Sequence, residues 1–169
     1  MKKIFFLFLW TTLSMLSQEN NRGYIVNVGD KAPTFNILEE YPNQVIMLKF
    51  TASWCSVCIK EMPVIEKEIW ETHKNNPNFI LIALAKDTEQ RPQRKKEIEL
   101  MREKTGATFP IITDYNSEIF ELFAEKKAGV TRSIIIDQKG EIAFLTRLFD
   151  HDEFNKMKTV IDKLLQKKH

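Results

Sequence analysis

Hydrophobic positions along this 169-residue chain follow two rhythms. QVIMLKFTA (44–52) and FILIALAKD (79–87) are nearly continuous apolar runs of strand length. Runs of that kind read as strands buried on both faces, the first of them central. Between them Ile59, Met62, Ile65 and Ile69 recur at steps of three, three and four, which predicts a helix with one buried face. Pro63 lies inside that helix and predicts a kink.

The same reading extends in both directions. YIVNVGDKAPTFNIL (24–38) predicts one or two short extended segments broken by Gly29 and Pro33. PQRKKEIELMREKT (92–105) predicts a solvated surface helix, with Pro92 in its first turn and Gly106 at its end. TFPIITD (108–114) predicts a short strand, and SEIFELFAEKKAG (117–129) a helix closed by Gly129. RSIIID and EIAFLTRLF flank Gln138-Lys139-Gly140 and predict a hairpin. Phe154, Met157, Ile161 and Leu164 mark an amphipathic C-terminal helix. Strands alternate with helices and a hairpin plus helix close the chain. The expected class is α/β, a central mixed β-sheet with helices on both faces.

The first residues change the expected compartment. Lys2 and Lys3 precede an apolar run from Ile4 to Leu16, the length of a signal-peptide core and short for a membrane span. Ser14 and Ser17 supply small residues near a cut, although Met15 is a poor match. A signal peptide over residues 1–17, cleaved, is expected; an uncleaved membrane anchor is the alternative. Losing Lys2 and Lys3 takes the formal charge from +2 to 0, which leaves no electrostatic case for nucleic acid. The roughly 150 residues that remain fit one domain. A monomer is expected.

Both cysteines of the chain lie in TASWCSVCIKEMP (51–63), at Cys55 and Cys58. Outside the cytoplasm disulfides persist, yet a bridge across about four residues adds only ~2 kcal/mol, against nearly 5 for a loop of about 100. The pair is a poor staple and reads as a bond that opens and closes. It falls where a central strand gives way to a helix, the edge at which open α/β sheets place reactive sites. Unpaired N–H groups and the positive end of a helix favour a thiolate there, and the thiolate is the attacking form. Cys55 is therefore the candidate nucleophile and Cys58, one turn on, the candidate resolving thiol. Trp54 either packs beside the site and restricts water or fills the core. Zinc would need four ligands; there is no third cysteine, and His73, His151 and His169 have no paired spacing. No metal and no cofactor are expected.

FTASWCSVCIKEMP (50–63) resembles the F-x-A-x-W-C-x-x-C-x-x-E-x-P of TlpA/ResA-type thioredoxin-like proteins of bacterial envelopes. VGDKAPTF (28–35), FPIITD (109–114), Gly129-Val130 and IIIDQKGEI (134–142) agree, and the likeness covers roughly 28–167. The resemblance implies a thioredoxin fold over residues 24–168 and thiol–disulfide exchange, commonly the reduction of other exported proteins. It implies a periplasmic or envelope location and a membrane-bound thiol–disulfide electron donor. It also implies that Glu61 tunes the cysteines, the plainer alternative being a surface carboxylate.

Two positions depart from the pattern. The family usually has a cis-proline after Gly-Val; here Thr131 holds that place. A cis bond before Thr is disfavoured by ~2.5–4 kcal/mol, so a trans bond and a different docking loop are expected. Lys49 stands six positions before Cys55, where thioredoxins commonly have an acid and this family often Asn. Burying an ammonium is expensive, so Lys49 is expected to snorkel to an edge rather than lie beneath the cysteines. Two other readings stay open. A thiol peroxidase would need P-x-x-x-T-x-x-C, but Thr51 lies one residue too far from Cys55, and Leu48 or Met47 stands where proline belongs. A non-catalytic module could hold Cu(I) or a protein partner through two soft thiolates.

Overall fold

Seven consecutive buried residues form the centre of the molecule: β1, Val45–Thr51. In the computed structural model, which describes residues 23–166, β2 (Phe79–Lys86) runs parallel to β1, from Val45 opposite Phe79 to Thr51 opposite Ala85. β3 (Ile111–Asp114) adds to β2 in parallel. On the other side β4 (Arg132–Ile136) pairs antiparallel with β1, and β5 (Ile142–Arg147) closes the expected hairpin. The order is β3-β2-β1-β4-β5. The expected leader over residues 1–17, and His169, lie outside the described residues.

Side chains of a strand alternate between faces. Ile46, Leu48 and Phe50 share one core with Ile82, Leu84, Phe120 and Phe123, covered by α1 (Asn36–Glu40) and α5 (Glu118–Phe123). Val45 and Met47 share the other with Met62, Ile65 and Ile69, Met101, and Phe154, Met157 and Ile161. These come from α2 (Ser56–Ile65) and its continuation, α4 (Lys95–Thr105) and α6 (His151–Gln166). After Pro63, which has no N–H to give Ile59, α2 passes at Glu66 into a π turn, Glu66–Trp70, and then α3, Glu71–His73. The turn keeps Ile69 fully buried beside Met62 and Ile65.

Three boundaries differ from the sequence reading. Asn36–Glu40 is a short helix, not extended chain. The surface helix starts after Arg94 instead of at Pro92, because Glu97 accepts the Arg94 N–H at 3.0 Å and caps it; its end at Gly106, φ 69°, is as expected. α5 stops at Phe123, six residues before Gly129. The segment at Gly23–Ile25 takes over its chain: Ala124 bridges Tyr24, Ile25 N–H donates to Phe123 O, and Glu125 N–H to Gly23 O. Among the described residues no helix is long and apolar enough to cross a membrane.

Candidate active site

β1 ends at Thr51, the chain turns so that Cys55 N–H donates to Ala52 O at 3.0 Å, and α2 begins at Ser56. Cys55 is the N-cap, with extended backbone (φ −90°, ψ 101°), and its Sγ accepts the Cys58 N–H at 3.2 Å. Sulfur thus takes the place that a serine or aspartate oxygen takes at ordinary helix starts. The two cysteines are joined as a disulfide with Cα atoms 5.2 Å apart. Cys58 is fully buried, whereas Cys55 keeps 8% exposure.

Thr131 faces the pair. Its Oγ1 lies 3.1 Å from Cys55 Sγ and 3.2 Å from Cys58 Sγ. Disulfide sulfurs carry no proton, so the hydroxyl donates. Thr131 precedes β4, and its carbonyl accepts from Leu148 N–H at 3.0 Å. Peptide bonds of the described residues are trans, so the bond before Thr131 is trans, as expected.

Lys49 does not snorkel to an edge. It is fully buried and its Nζ lies 2.5 Å from Glu61 Oε2, itself buried. The expected penalty applied to a lone ammonium; a carboxylate on the facing helix removes that condition. Glu61 is likewise not a surface carboxylate: it sits on the buried face of α2 with Cys58, Met62 and Ile65. Ser133, opposite Lys49 on β4, has a buried Oγ with no hydrogen-bond partner among the described residues.

Trp54 is not core filling, being 44% exposed beside Cys55. The Arg91 guanidinium stacks 4.5 Å from its ring centre. The loop carrying Arg91 is clamped to the cysteine turn, since Gln93 Oε1 accepts Ser53 N–H at 2.7 Å. Gln93 N–H in turn donates to buried Asp87 at 2.7 Å, and Arg94 pairs with the same carboxylate. Burial pushes the Asp87 carboxyl up, but hydrogen bonds from Arg94 and from the Gln93 and Asn116 N–H groups outweigh it and hold it below the usual range.

Residues 27–161 match the family described as Redoxin. The chain belongs to the redoxin family. Among curated relatives, the thiol-disulfide oxidoreductase ResA of Geobacillus kaustophilus is 28% identical over 126 residues, 69% of this chain and 67% of that one. The solution structure of a Bacteroides thetaiotaomicron protein, provisionally called a protein disulfide isomerase, is 40% identical. It covers 86% of this chain and 94% of its own, with a TM-score of 0.79. The DsbE-type thiol:disulfide interchange protein of Chlorobium tepidum, 22% identical with a TM-score of 0.68, covers 83% of this chain and 99% of its own and shares the fold. The protein is a ResA/TlpA-type thiol–disulfide oxidoreductase of thioredoxin fold, its C-x-x-C pair at disulfide distance.

In this redoxin Thr51 is turned from the sulfurs: its hydroxyl meets the Met62 and Met101 sulfurs at 3.5 and 3.6 Å. His73 lies by Asp162 at 3.3 Å and His151 by the Phe149 ring, both outside the cysteine site. Sequence reasoning brought together Cys55, Cys58, Trp54 and Thr131, and placed Glu61 and Lys49 without pairing them. It missed Gln93, Asp87 and Arg91. Their loop is polar and aperiodic, and nothing in its composition points 40 residues back to Ser53.

Proposed function

We propose that this redoxin is exported, that residues 24–168 act after loss of the leader at 1–17, and that it reduces disulfides in other exported proteins. The difference between the sulfurs carries the assignment of roles. Cys55 has residual exposure at the helix start, and Cys58 has none. The Cys55 thiolate attacks one sulfur of a substrate disulfide; that bond breaks, the leaving sulfur takes a proton from solvent, and a mixed disulfide forms. Cys58, deprotonated, then attacks Cys55 Sγ. The mixed bond breaks, the second substrate thiol departs, and two electrons have passed from the protein pair to the substrate. A membrane-bound dithiol donor restores the reduced pair.

The Cys58 N–H aimed at Cys55 Sγ supports this order, since that donor strengthens its bond when the sulfur becomes an anion. Exposed Trp54 offers an apolar surface beside the attacked bond. Insulin-disulfide reduction with dithiothreitol tests activity, with Cys55→Ser as control. Cys58→Ser should accumulate a mixed disulfide through Cys55, visible on a non-reducing gel. Equal insulin rates for wild type and Cys55→Ser would defeat the proposal, and trapping through Cys58 in Cys55→Ser would reverse the roles.

A further inference from the structure

We propose that Thr131 tunes the exchange reaction, its hydroxyl holding the reduced pair as a relay of hydrogen bonds. The inference rests on the exchange reading above. One oxygen lies at 3.1 and 3.2 Å from the two sulfurs, so no large movement of Thr131 is needed to reach either. In the oxidised protein it donates to a sulfur. After reduction one sulfur is a thiolate and the other a thiol. The hydroxyl then donates to Cys55 S⁻ and accepts from Cys58 S–H, using both of its capacities. The Cys55 thiolate gains two donors in this way, Cys58 N–H and Thr131 O–H. A proline at this place would supply neither an N–H nor a hydroxyl.

The hydroxyl is set by the fold. Thr131 is 5% exposed, Leu148 N–H anchors its carbonyl at 3.0 Å, and β-branching restricts its rotamers. A donor already in place loses little entropy on meeting the anion, and a low-dielectric site strengthens the bond. The ionisable groups on the elements packed around the pair are the Lys49–Glu61 ion pair of β1 and α2, Arg132 next to Thr131 on β4, and Arg91 over Trp54. Glu153 of α6 accepts from Thr146 of β5 at 3.1 Å. All remain when only the hydroxyl is removed.

Thr131→Val keeps the shape and deletes the hydroxyl; Thr131→Ser keeps the hydroxyl and deletes a methyl. The test uses the full chain, reduced, with thiolate absorbance near 240 nm followed against pH and the potential fixed by equilibration with a dithiothreitol couple. Loss of a hydrogen bond to a charged sulfur predicts a roughly tenfold fall in thiolate stability for Thr131→Val, read as a rise of about one unit in the Cys55 pKa. With the thiolate disfavoured, the dithiol state is disfavoured too, and the potential falls by about 30 mV for that tenfold change. Thr131→Ser should restore both. Thr131→Val titrating like wild type would overturn the proposal. So would Thr131→Ser shifting as far as Thr131→Val, because packing and not the hydroxyl would then be responsible. A wild type that fails to reduce insulin would sink the exchange reading, while the difference between the two variants would still decide the hydrogen bond.

Discussion

The buried Lys49–Glu61 pair makes a stability prediction that turns on whether one partner is removed or both. Both side chains are out of solvent and 2.5 Å apart. Lys49→Met fills the stem's volume with apolar atoms and leaves Glu61 buried without its cation. Glu61→Gln does the converse. Breaking a buried pair in this way costs about 3–5 kcal/mol, whereas replacing both partners by apolar residues is often close to neutral. Each single variant should therefore lose about 3–5 kcal/mol in urea denaturation at unchanged m, and Lys49→Met with Glu61→Leu should recover most of it. Single variants that lie within experimental error of wild type, or a double variant that merely adds the two losses, would refute the reasoning.

The same variants separate charge from packing at the cysteines. Glu61 is six residues beyond Cys55 on α2, a rise of about 9 Å. At an effective dielectric of about 20 a lone charge at that distance is worth about 1.8 kcal/mol, or somewhat over one pKa unit. In wild type the two opposite charges largely cancel at Cys55. Lys49→Met leaves a negative charge and should move the pH profile of Cys55 alkylation up by about one unit. Glu61→Gln leaves a positive one and should move it down. Shifts of the same sign in both would show that the variants act through disturbed packing instead.

Two further groups give pH-dependent predictions. Burial pushes the Tyr24 phenol well above the ordinary tyrosine value, against the pull of Arg132, while its hydroxyl donates to Thr146 O at 2.6 Å and Ser133 O at 3.3 Å. The unfolded chain ionises this tyrosine from about pH 10 and the folded chain does not, so its stabilisation is full below pH 10 and is lost as pH rises beyond. Tyr24→Phe should cost about 1–3 kcal/mol at pH 7 and flatten that alkaline decline in urea midpoints taken from pH 8 to 11; an unaltered slope would exclude Tyr24. Asp87 is held below the usual carboxylate range despite burial, so its contribution is present above about pH 3.9 and lost as pH falls through its depressed folded value. Asp87→Asn should abolish that acid-side loss, and acid denaturation of the variant matching wild type throughout would contradict the anchor role.

The fold was legible where burial period and chain length agreed. β1 and β2 are apolar runs broken only by Lys49, Thr51 and Lys86, because helices cover both faces of the sheet centre, and α6 carries its core residues at clean helical spacing. Legibility failed where a distant strand decided a local choice. The second half of SEIFELFAEKKAG, Ala124 to Ala128, consists of good helix formers, yet it leaves the helix because Gly23 and Tyr24, a hundred residues earlier, pair with Ala124 and Glu125. Propensity is a weak prior against such pairing. Pro63 was visible as a disturbance, but the π turn that follows depends on how Ile69 fits against the sheet core, which a local pattern does not contain.

The surroundings of the cysteines were only partly legible, for a reason that the chain itself holds. From the sequence Lys49 is a lone ammonium too costly to bury, and Glu61 is either a residue that tunes the cysteines or a surface carboxylate, with the two left unpaired. Yet Lys49 lies in the middle of a run whose other residues are apolar or small, and such a strand has no solvent face to which a lysine could escape. Glu61 lies three residues from Cys58 and four from Ile65, on the stripe that Cys58, Met62 and Ile65 define as buried. Two ions of opposite sign, one on the central strand and one on the inner face of the helix that follows it, exclude one another's burial only when considered singly. Taken together each supplies the partner that makes the other tolerable, and the short strand-to-helix connection leaves them little choice but to meet. Thr131 is the opposite case: the sequence shows a missing proline, but only the register of β4 against β1 puts a hydroxyl between two sulfurs.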